Sequence, residues 1–95
     1  MKQDTKIVTA GRKAKFTNGV VNPSVTRAST VVFNTVAEMN NALKNRHDQT
    51  MVYGRRGTTT AFAFSDAMTE LEGGAGCALY PSGTAAITNA IISFV

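Results

Sequence analysis

The sequence lacks the features that mark secreted, membrane-spanning and disordered chains. Cys77 is the only cysteine, so no disulfide can form within the chain, as is typical of proteins in a reducing compartment. No apolar run approaches the roughly 18 residues that a membrane-spanning helix needs, and no apolar segment follows the charged N-terminus as in a secretory signal. With 43% apolar and 17% charged residues, the composition is that of a globular chain. We therefore predict a cytoplasmic protein with no membrane partner.

Basic residues are absent from residues 57–95. All ten Lys and Arg lie in residues 2–56 beside three acidic residues, a net charge of +7, whereas residues 57–95 carry three acidic residues and no basic one. A basic half is one signature of nucleic-acid binding, but these residues are scattered and lack the interleaved aromatic side chains that stack on bases. We interpret the basic half as an arm that lies on a more acidic surface, and expect no nucleic-acid partner.

The basic half carries little helical periodicity. Residues 1–34 show at most a short turn, around residues 5–10. The capping-box pattern Thr35-Val36-Ala37-Glu38 then predicts a helix that runs from residue 36 to about Arg46. The segment before that helix contains glycine and proline and needs something to lie against. It predicts an arm and not an independent domain.

The second half predicts a helix, a strand and a further helix. Three threonines at 58–60 offer N-cap hydroxyls to a first helix that ends at Gly73 and has its apolar residues at helical spacing: Phe64, Ala67, Met68 and Leu71. Residues 77–80 are apolar between glycine and proline, which predicts a buried strand of the parallel type. Residues 84–95 have a helical period and are apolar on most faces. One strand cannot form a sheet, so we expect a truncated α/β chain.

Two motifs carry the chemistry. A predicted turn from strand to helix at Pro81-Ser82-Gly83-Thr84 presents the N–H groups of Gly83 and Thr84 to an anion, with the Ser82 hydroxyl beside them. The run Tyr53-Gly54-Arg55-Arg56-Gly57 adds a phenol and a guanidinium, whose planar fork suits phosphate. Asp66, Glu70 and Glu72 have no cysteine or histidine at ligand spacing, so no metal site is predicted. We expect a helix-end role for His47 and a buried one for Cys77.

The order of these motifs resembles the Cys/Met-metabolism family of pyridoxal-phosphate (PLP) enzymes from Ala10-Gly11-Arg12 onward. The Tyr-Gly-Arg-Arg-Gly-Thr run and the Glu-Gly-Gly-Ala-Gly-Cys run that begins at Glu72 are similar to the bacterial β-lyase branch of that family. The γ-synthase and γ-lyase branches more often carry Asn-Pro after the arginines, where this chain has Gly57 and three threonines. The resemblance therefore favours a carbon–sulfur lyase, and a γ-synthase or γ-lyase remains an alternative.

The family resemblance implies a fold type I, aminotransferase-like enzyme. Residues 1–57 would be an arm that contacts the neighbouring subunit of a homotetramer, and residues 58–95 would begin the PLP-binding parallel-sheet domain. Tyr53 and Arg55 would bind the phosphate of the neighbour's PLP, and Tyr53 would have an auxiliary role near the substrate. Gly83 and Thr84, with Ser82, would bind the phosphate of PLP in their own subunit.

The reaction that the resemblance implies is α,β-elimination of cystathionine to homocysteine, pyruvate and ammonia, within methionine biosynthesis. Three parts of the family's site have no counterpart in this sequence: the lysine that holds PLP covalently, the aspartate that pairs with the pyridine nitrogen, and the aromatic that stacks on the ring. Lys44 is no substitute, because its helical position predicts exposure. We expect the isolated chain to be inactive, with no catalytic residue of its own. A non-catalytic interface fragment is the alternative.

Overall fold

The computed structural model describes residues 2–95, which form five α-helices and one 3-10 turn. The helices are α1 to α5 in chain order, and the 3-10 turn lies between α3 and α4: α1 Gln3–Thr9, α2 Ala14–Thr17, α3 Val36–Lys44, the turn Gly54–Arg56, α4 Thr59–Glu72 and α5 Gly83–Ile92. The turn expected at residues 5–10 is thus part of a helix that begins earlier, and α2 had no signal in the sequence. No helix in residues 2–95 has the length and apolar character to cross a membrane.

Helix α3 begins at the predicted N-cap, Thr35, although its Glu38 carboxylate bonds to the residue before the cap and not to the cap itself. The Thr35 hydroxyl accepts the Glu38 N–H at 3.1 Å, and the Glu38 carboxylate accepts the Asn34 N–H at 3.2 Å. The helix ends at Lys44, two residues before the predicted end. There the Arg46 guanidinium donates to the Leu43 carbonyl at 2.8 Å and satisfies one of the last carbonyls.

Helix α4 has the predicted end but not the predicted cap. It stops where Gly73 takes the left-handed conformation, with a φ of 68°. Thr58 occupies the N-cap position, yet its side chain makes no cap hydrogen bond. Its hydroxyl donates instead to the Thr26 carbonyl at 3.1 Å. The predicted capping role of the threonine hydroxyls is therefore wrong, because a distant part of the chain uses them.

The arm packs on α4 of its own chain. Both α1 and α2 contact α4, and Phe16 in α2 and Ala63 in α4 are both buried. The connection between α1 and α2 approaches α4 closely at Gly11, where a Cβ would lie 2.7 Å from the Ala63 carbonyl oxygen. Next to it, the Lys13 ammonium pairs with the Asp66 carboxylate at 3.0 Å. The basic arm thus meets an acidic residue of the second half within the same chain.

The strand predicted at residues 77–80 is absent. These residues have no regular secondary structure, and the residues that the structure describes contain one isolated antiparallel bridge, between Thr30 and Tyr53, and no strand. A strand needs a neighbour for its backbone groups, and here the Cys77 carbonyl accepts only the Ser65 hydroxyl, at 2.7 Å. Helices are therefore the only regular secondary structure among residues 2–95, and the parallel sheet of the predicted α/β class is not seen in them.

Helix α5 stands apart from the other helices, and it makes no packing contact with any of them within residues 2–95. Its apolar character is as predicted, and its large side chains are mostly exposed: Ile87, Ile91 and Ile92. Its start is sharply defined all the same, because the Ser82 hydroxyl accepts the Ala85 N–H at 3.1 Å.

Candidate functional site

The N-terminus of α5 offers free hydrogen-bond donors. The Ser82 side chain and carbonyl accept the N–H groups of Ala85 and Ala86, each at 3.1 Å. The N–H groups of Gly83 and Thr84 have no acceptor among residues 2–95, and both residues are exposed. Because the Ser82 oxygen acts as an acceptor in the cap, its hydroxyl hydrogen is still able to donate outward. These three donors lie at the positive end of the helix dipole, where an anion is favoured.

The loop at residues 53–57 is a tight 3-10 turn. The Arg56 N–H donates to the Tyr53 carbonyl at 2.9 Å, and the Gly57 N–H donates to the Gly54 carbonyl at 3.0 Å. Gly54 also donates its N–H to the Ser29 carbonyl at 2.6 Å. At this close approach a Cβ on residue 54 would overlap the Ala28 carbonyl oxygen. Only glycine fits there, so the glycine at position 54 follows from the contact of the loop with residues 28–29.

Tyr53 and Arg55 form a pair on the surface of this turn. The Arg55 guanidinium lies over the Tyr53 ring, 5.6 Å from its centroid, and both side chains are exposed. Stacking of this kind restrains the guanidinium while leaving its N–H edges accessible. Within residues 2–95, neither Arg55 nor Arg56 has a carboxylate at ion-pair distance. The turn therefore presents uncompensated positive charge next to a phenol.

The cavity beside Arg55 does not include the predicted phosphate ligands at the start of α5. Arg55 and Arg56 line a cavity of about 310 Å³ together with Phe62, Cys77 and Leu79. The cavity approaches the chain before α5 but does not include Ser82, Gly83 or Thr84, and no hydrogen bond among the described residues joins the two groups. Among residues 2–95 the two groups of candidate anion ligands therefore share neither this cavity nor a hydrogen bond.

A set of threonine hydroxyls connects the arm to the start of α4, and we call it the threonine seam: Thr26, Thr58, Thr59 and Thr60. The Thr26 N–H donates to the Thr60 hydroxyl at 2.7 Å, and the hydroxyls of Thr26 and Thr59 lie 3.2 Å apart. Thr60 in turn donates to the Ser24 carbonyl at 2.9 Å. The seam cannot be recognised from the sequence, because its only signal is three consecutive threonines, a pattern that predicts helix caps.

The remaining titratable residues do not form a metal centre. Among residues 2–95 no three histidine, cysteine, aspartate or glutamate side chains are grouped as metal ligands. His47 is exposed beyond the end of α3, and it lines a cavity of about 420 Å³ with Asp48, Asp66 and Cys77. Cys77 is half-buried, outside any strand. Asp66 uses one carboxylate oxygen for Lys13, and its other oxygen is buried without a partner among the described residues.

Comparison with known proteins places these residues in a family. The model of the Cys/Met metabolism PLP-dependent enzymes matches residues 4–95. A cystathionine beta-lyase of Salmonella typhimurium is 53% identical over 97% of this chain, and one of Escherichia coli is 50% identical over 99% of it. An L-alanine/L-glutamate racemase of Wolbachia pipientis is 34% identical over 99% of the chain. The alignments cover 23%, 24% and 26% of these relatives, so the chain spans about a quarter of their length.

Proposed function

This chain belongs to the Cys/Met-metabolism family of PLP-dependent enzymes, and on that premise we propose that it is the N-terminal part of a carbon–sulfur lyase that converts cystathionine to homocysteine, pyruvate and ammonia. One observation carries the proposal: Gly83 and Thr84 present free, exposed N–H groups at the start of α5, in a chain half identical to cystathionine beta-lyases. The proposal places the protein in methionine biosynthesis in the cytoplasm.

The donors at α5 fit the phosphate of PLP. Two backbone N–H groups, a serine hydroxyl and a helix N-terminus form a donor set suited to a dianion, and no acidic side chain lies in the first turn of the helix. When bound, PLP supplies the electron sink that allows a bond at the substrate's Cα to break. Gly83, Thr84 and Ser82 hold the phosphate and thereby orient the cofactor.

Tyr53 and Arg55 form the second half of the proposed site. Arg55 binds phosphate through its guanidinium, and the Tyr53 ring beneath it limits the directions in which that group points. This pair shares neither the cavity that Arg55 lines nor a hydrogen bond with Ser82, Gly83 and Thr84 among the described residues, which is compatible with a role toward the cofactor of a neighbouring subunit. We therefore propose a homotetramer with shared active sites, in which Tyr53 has an auxiliary role near the substrate. The arm, residues 1–57, is then the part that reaches the neighbour.

A racemase is the second candidate function. The racemase of Wolbachia pipientis aligns over nearly the whole chain, so these phosphate-binding elements are compatible with more than one reaction. The lower identity of that relative, 34% against 53%, favours the lyase. A lyase cleaves the substrate side chain and releases pyruvate, whereas a racemase inverts the configuration at Cα. One experiment can distinguish these products.

The test uses the protein expressed from its complete coding sequence and supplied with PLP. Pyruvate released from cystathionine is followed by a coupled dehydrogenase assay, and racemisation of alanine is followed on a chiral column. We expect pyruvate at enzymatic rates. We also expect Arg55→Ala to weaken PLP binding by about 10- to 150-fold, the equivalent of one lost charge-assisted hydrogen bond. The matched control is Arg46→Ala, because Arg46 contacts only the end of α3.

Each alternative has its own result. Racemised alanine without pyruvate assigns the racemase function. A complete protein that binds no PLP and forms neither product rules out both enzymes and leaves the non-catalytic interface fragment. Equal PLP affinity of the Arg55 and Arg46 variants shows that Arg55 does not bind the phosphate, even if pyruvate is formed.

A further inference from the structure

The loop at residues 53–57 is attached at both ends to a single segment of the arm, residues 24–30. On the N-terminal side, Tyr53 forms its bridge with Thr30, and the Gly54 N–H donates to the Ser29 carbonyl at 2.6 Å. On the C-terminal side, the residue after Gly57 is Thr58, whose hydroxyl donates to the Thr26 carbonyl at 3.1 Å. The position of the turn that presents Arg55 therefore depends on where residues 24–30 lie.

Residues 24–30 have no helix or strand of their own to fix that position. Thr26 has its N–H bound by the Thr60 hydroxyl at 2.7 Å and its carbonyl bound by the Thr58 hydroxyl. Backbone groups that a ladder would otherwise satisfy are here satisfied by side chains from the start of α4. Thr58 is only 8% exposed, so water does not readily replace its hydroxyl.

We propose that Thr58 and Thr60 are positioning residues that set the Arg55 turn for the 5′-phosphate of PLP, an inference that rests on the proposed function. The threonine seam holds residues 24–30 against the start of α4. Residues 29 and 30 in turn hold the N-terminal end of the turn, at Tyr53 and Gly54. Neither threonine touches the phosphate. Both act by holding the turn in the one location from which Arg55 reaches it.

The test measures two affinities in the complete apoenzyme, one for PLP and one for pyridoxal, which lacks the phosphate. Thr58→Val and Thr60→Val keep the side-chain shape but remove the hydroxyls. Thr60→Ser restores a hydroxyl at residue 60. Thr69→Val is the matched control, because the Thr69 hydroxyl bonds only within α4, to the Ser65 carbonyl. Arg55→Ala reports whether the turn binds phosphate at all.

We expect both valine variants to lower PLP affinity by about tenfold, as loss of an orienting partner commonly does, while pyridoxal affinity stays unchanged. Thr60→Ser should restore PLP affinity, and Thr69→Val should not alter it. A merely structural role would lower both affinities together and would overturn the inference. If Thr58→Val fails to fold, the PLP and pyridoxal affinities of Thr60→Val test the inference. That variant should fold, because the hydrogen bond from the Thr60 hydroxyl to the Ser24 carbonyl is exposed.

The controls separate this inference from the proposed function. If Arg55→Ala lowers PLP affinity and neither valine variant does, the turn binds phosphate but the threonine seam does not position it. If Arg55→Ala changes neither affinity, the phosphate role of the turn is wrong and the inference is wrong with it.

Discussion

The two parts of the chain on either side of Gly73 keep their structure in different ways. Residues 2–72 are joined by contacts between distant residues, including the packing of α1 and α2 on α4, the Lys13–Asp66 ion pair and the threonine seam. Residues 74–95 are joined to the rest of residues 2–95 by one long-range hydrogen bond, from the Ser65 hydroxyl to the Cys77 carbonyl. Apart from α3, which contacts no other helix within residues 2–95, the first part is held by tertiary contacts, whereas the second is held mainly by local ones.

This difference explains which group of candidate phosphate ligands can be predicted from neighbouring residues in the sequence. The donors at α5 follow from Ser82 as a cap and Gly83 as the first helical residue, all within a few residues. Tyr53 and Arg55 take their positions from a turn whose close partners are Ala28, Ser29 and Thr30, more than twenty residues earlier. A substitution in the first part should therefore act at a distance, and one in the second should act locally.

The largest effect should follow Phe16→Ala. Phe16 is 4% exposed and belongs to α2, which contacts α4, so we expect its truncation to leave a cavity in a buried part of the chain. We expect a loss of about 3–5 kcal/mol in the free energy of unfolding, measured by urea denaturation. Phe94→Ala is the control, because that side chain is 93% exposed, and it should change stability by less than about 0.5 kcal/mol. Equal effects would show that the two parts do not differ in packing.

Gly54→Ala should be next in size. The added methyl group would overlap the Ala28 carbonyl, so either the turn or residues 28–30 must move, at a cost of about 3 kcal/mol. The same urea measurement applies, and PLP affinity should fall with stability because Arg55 moves with the turn. In the control Gly76→Ala the new methyl meets no atom within 4 Å, so stability should be nearly unchanged. If Gly54→Ala has the stability and PLP affinity of the unchanged protein, the contact with residues 28–30 does not hold the turn in place.

Ser82→Ala should have a smaller and strictly local effect. It removes the oxygen that accepts the Ala85 N–H, which costs about 1 kcal/mol at a helix N-cap. Amide hydrogen exchange should then speed up about fivefold across α5, with no change in α4. Ser93→Ala, at the other end of α5, serves as the control. If exchange in α4 also accelerates, α5 is coupled to the first part more strongly than one hydrogen bond allows.

Lys13→Ala should have the smallest effect. The Lys13 side chain is 59% exposed and its partner Asp66 is 16% exposed, so solvent screens much of the attraction. We expect a loss of at most about 1 kcal/mol, reduced further in high salt, as measured by thermal unfolding at two ionic strengths. Lys44→Ala, on the exposed end of α3, is the matched control. A loss that is unchanged by salt would indicate lost packing of the lysine stem in place of lost charge attraction.

Local patterns predicted α3, α4 and α5 but not α2, and they predicted the long-range features poorly. The capping box at Thr35 and the glycine end of α4 at Gly73 are both observed. The strand at residues 77–80 is not, because its apolar pattern needs neighbouring strands that residues 2–95 do not contain. The Lys13–Asp66 pair spans 53 positions, and no periodicity in the sequence connects its two members.

The start of α5, the helix α3, the course of α4 and the family membership can all be read from neighbouring residues or from motifs of short spacing. The contact of α1 and α2 with α4, and the bond of Thr58 to Thr26 in place of a helix cap, arise only when the chain folds. The physical reason is competition for one hydroxyl. A side chain that satisfies the helix end in a local pattern is directed elsewhere when folding brings a buried carbonyl within its reach.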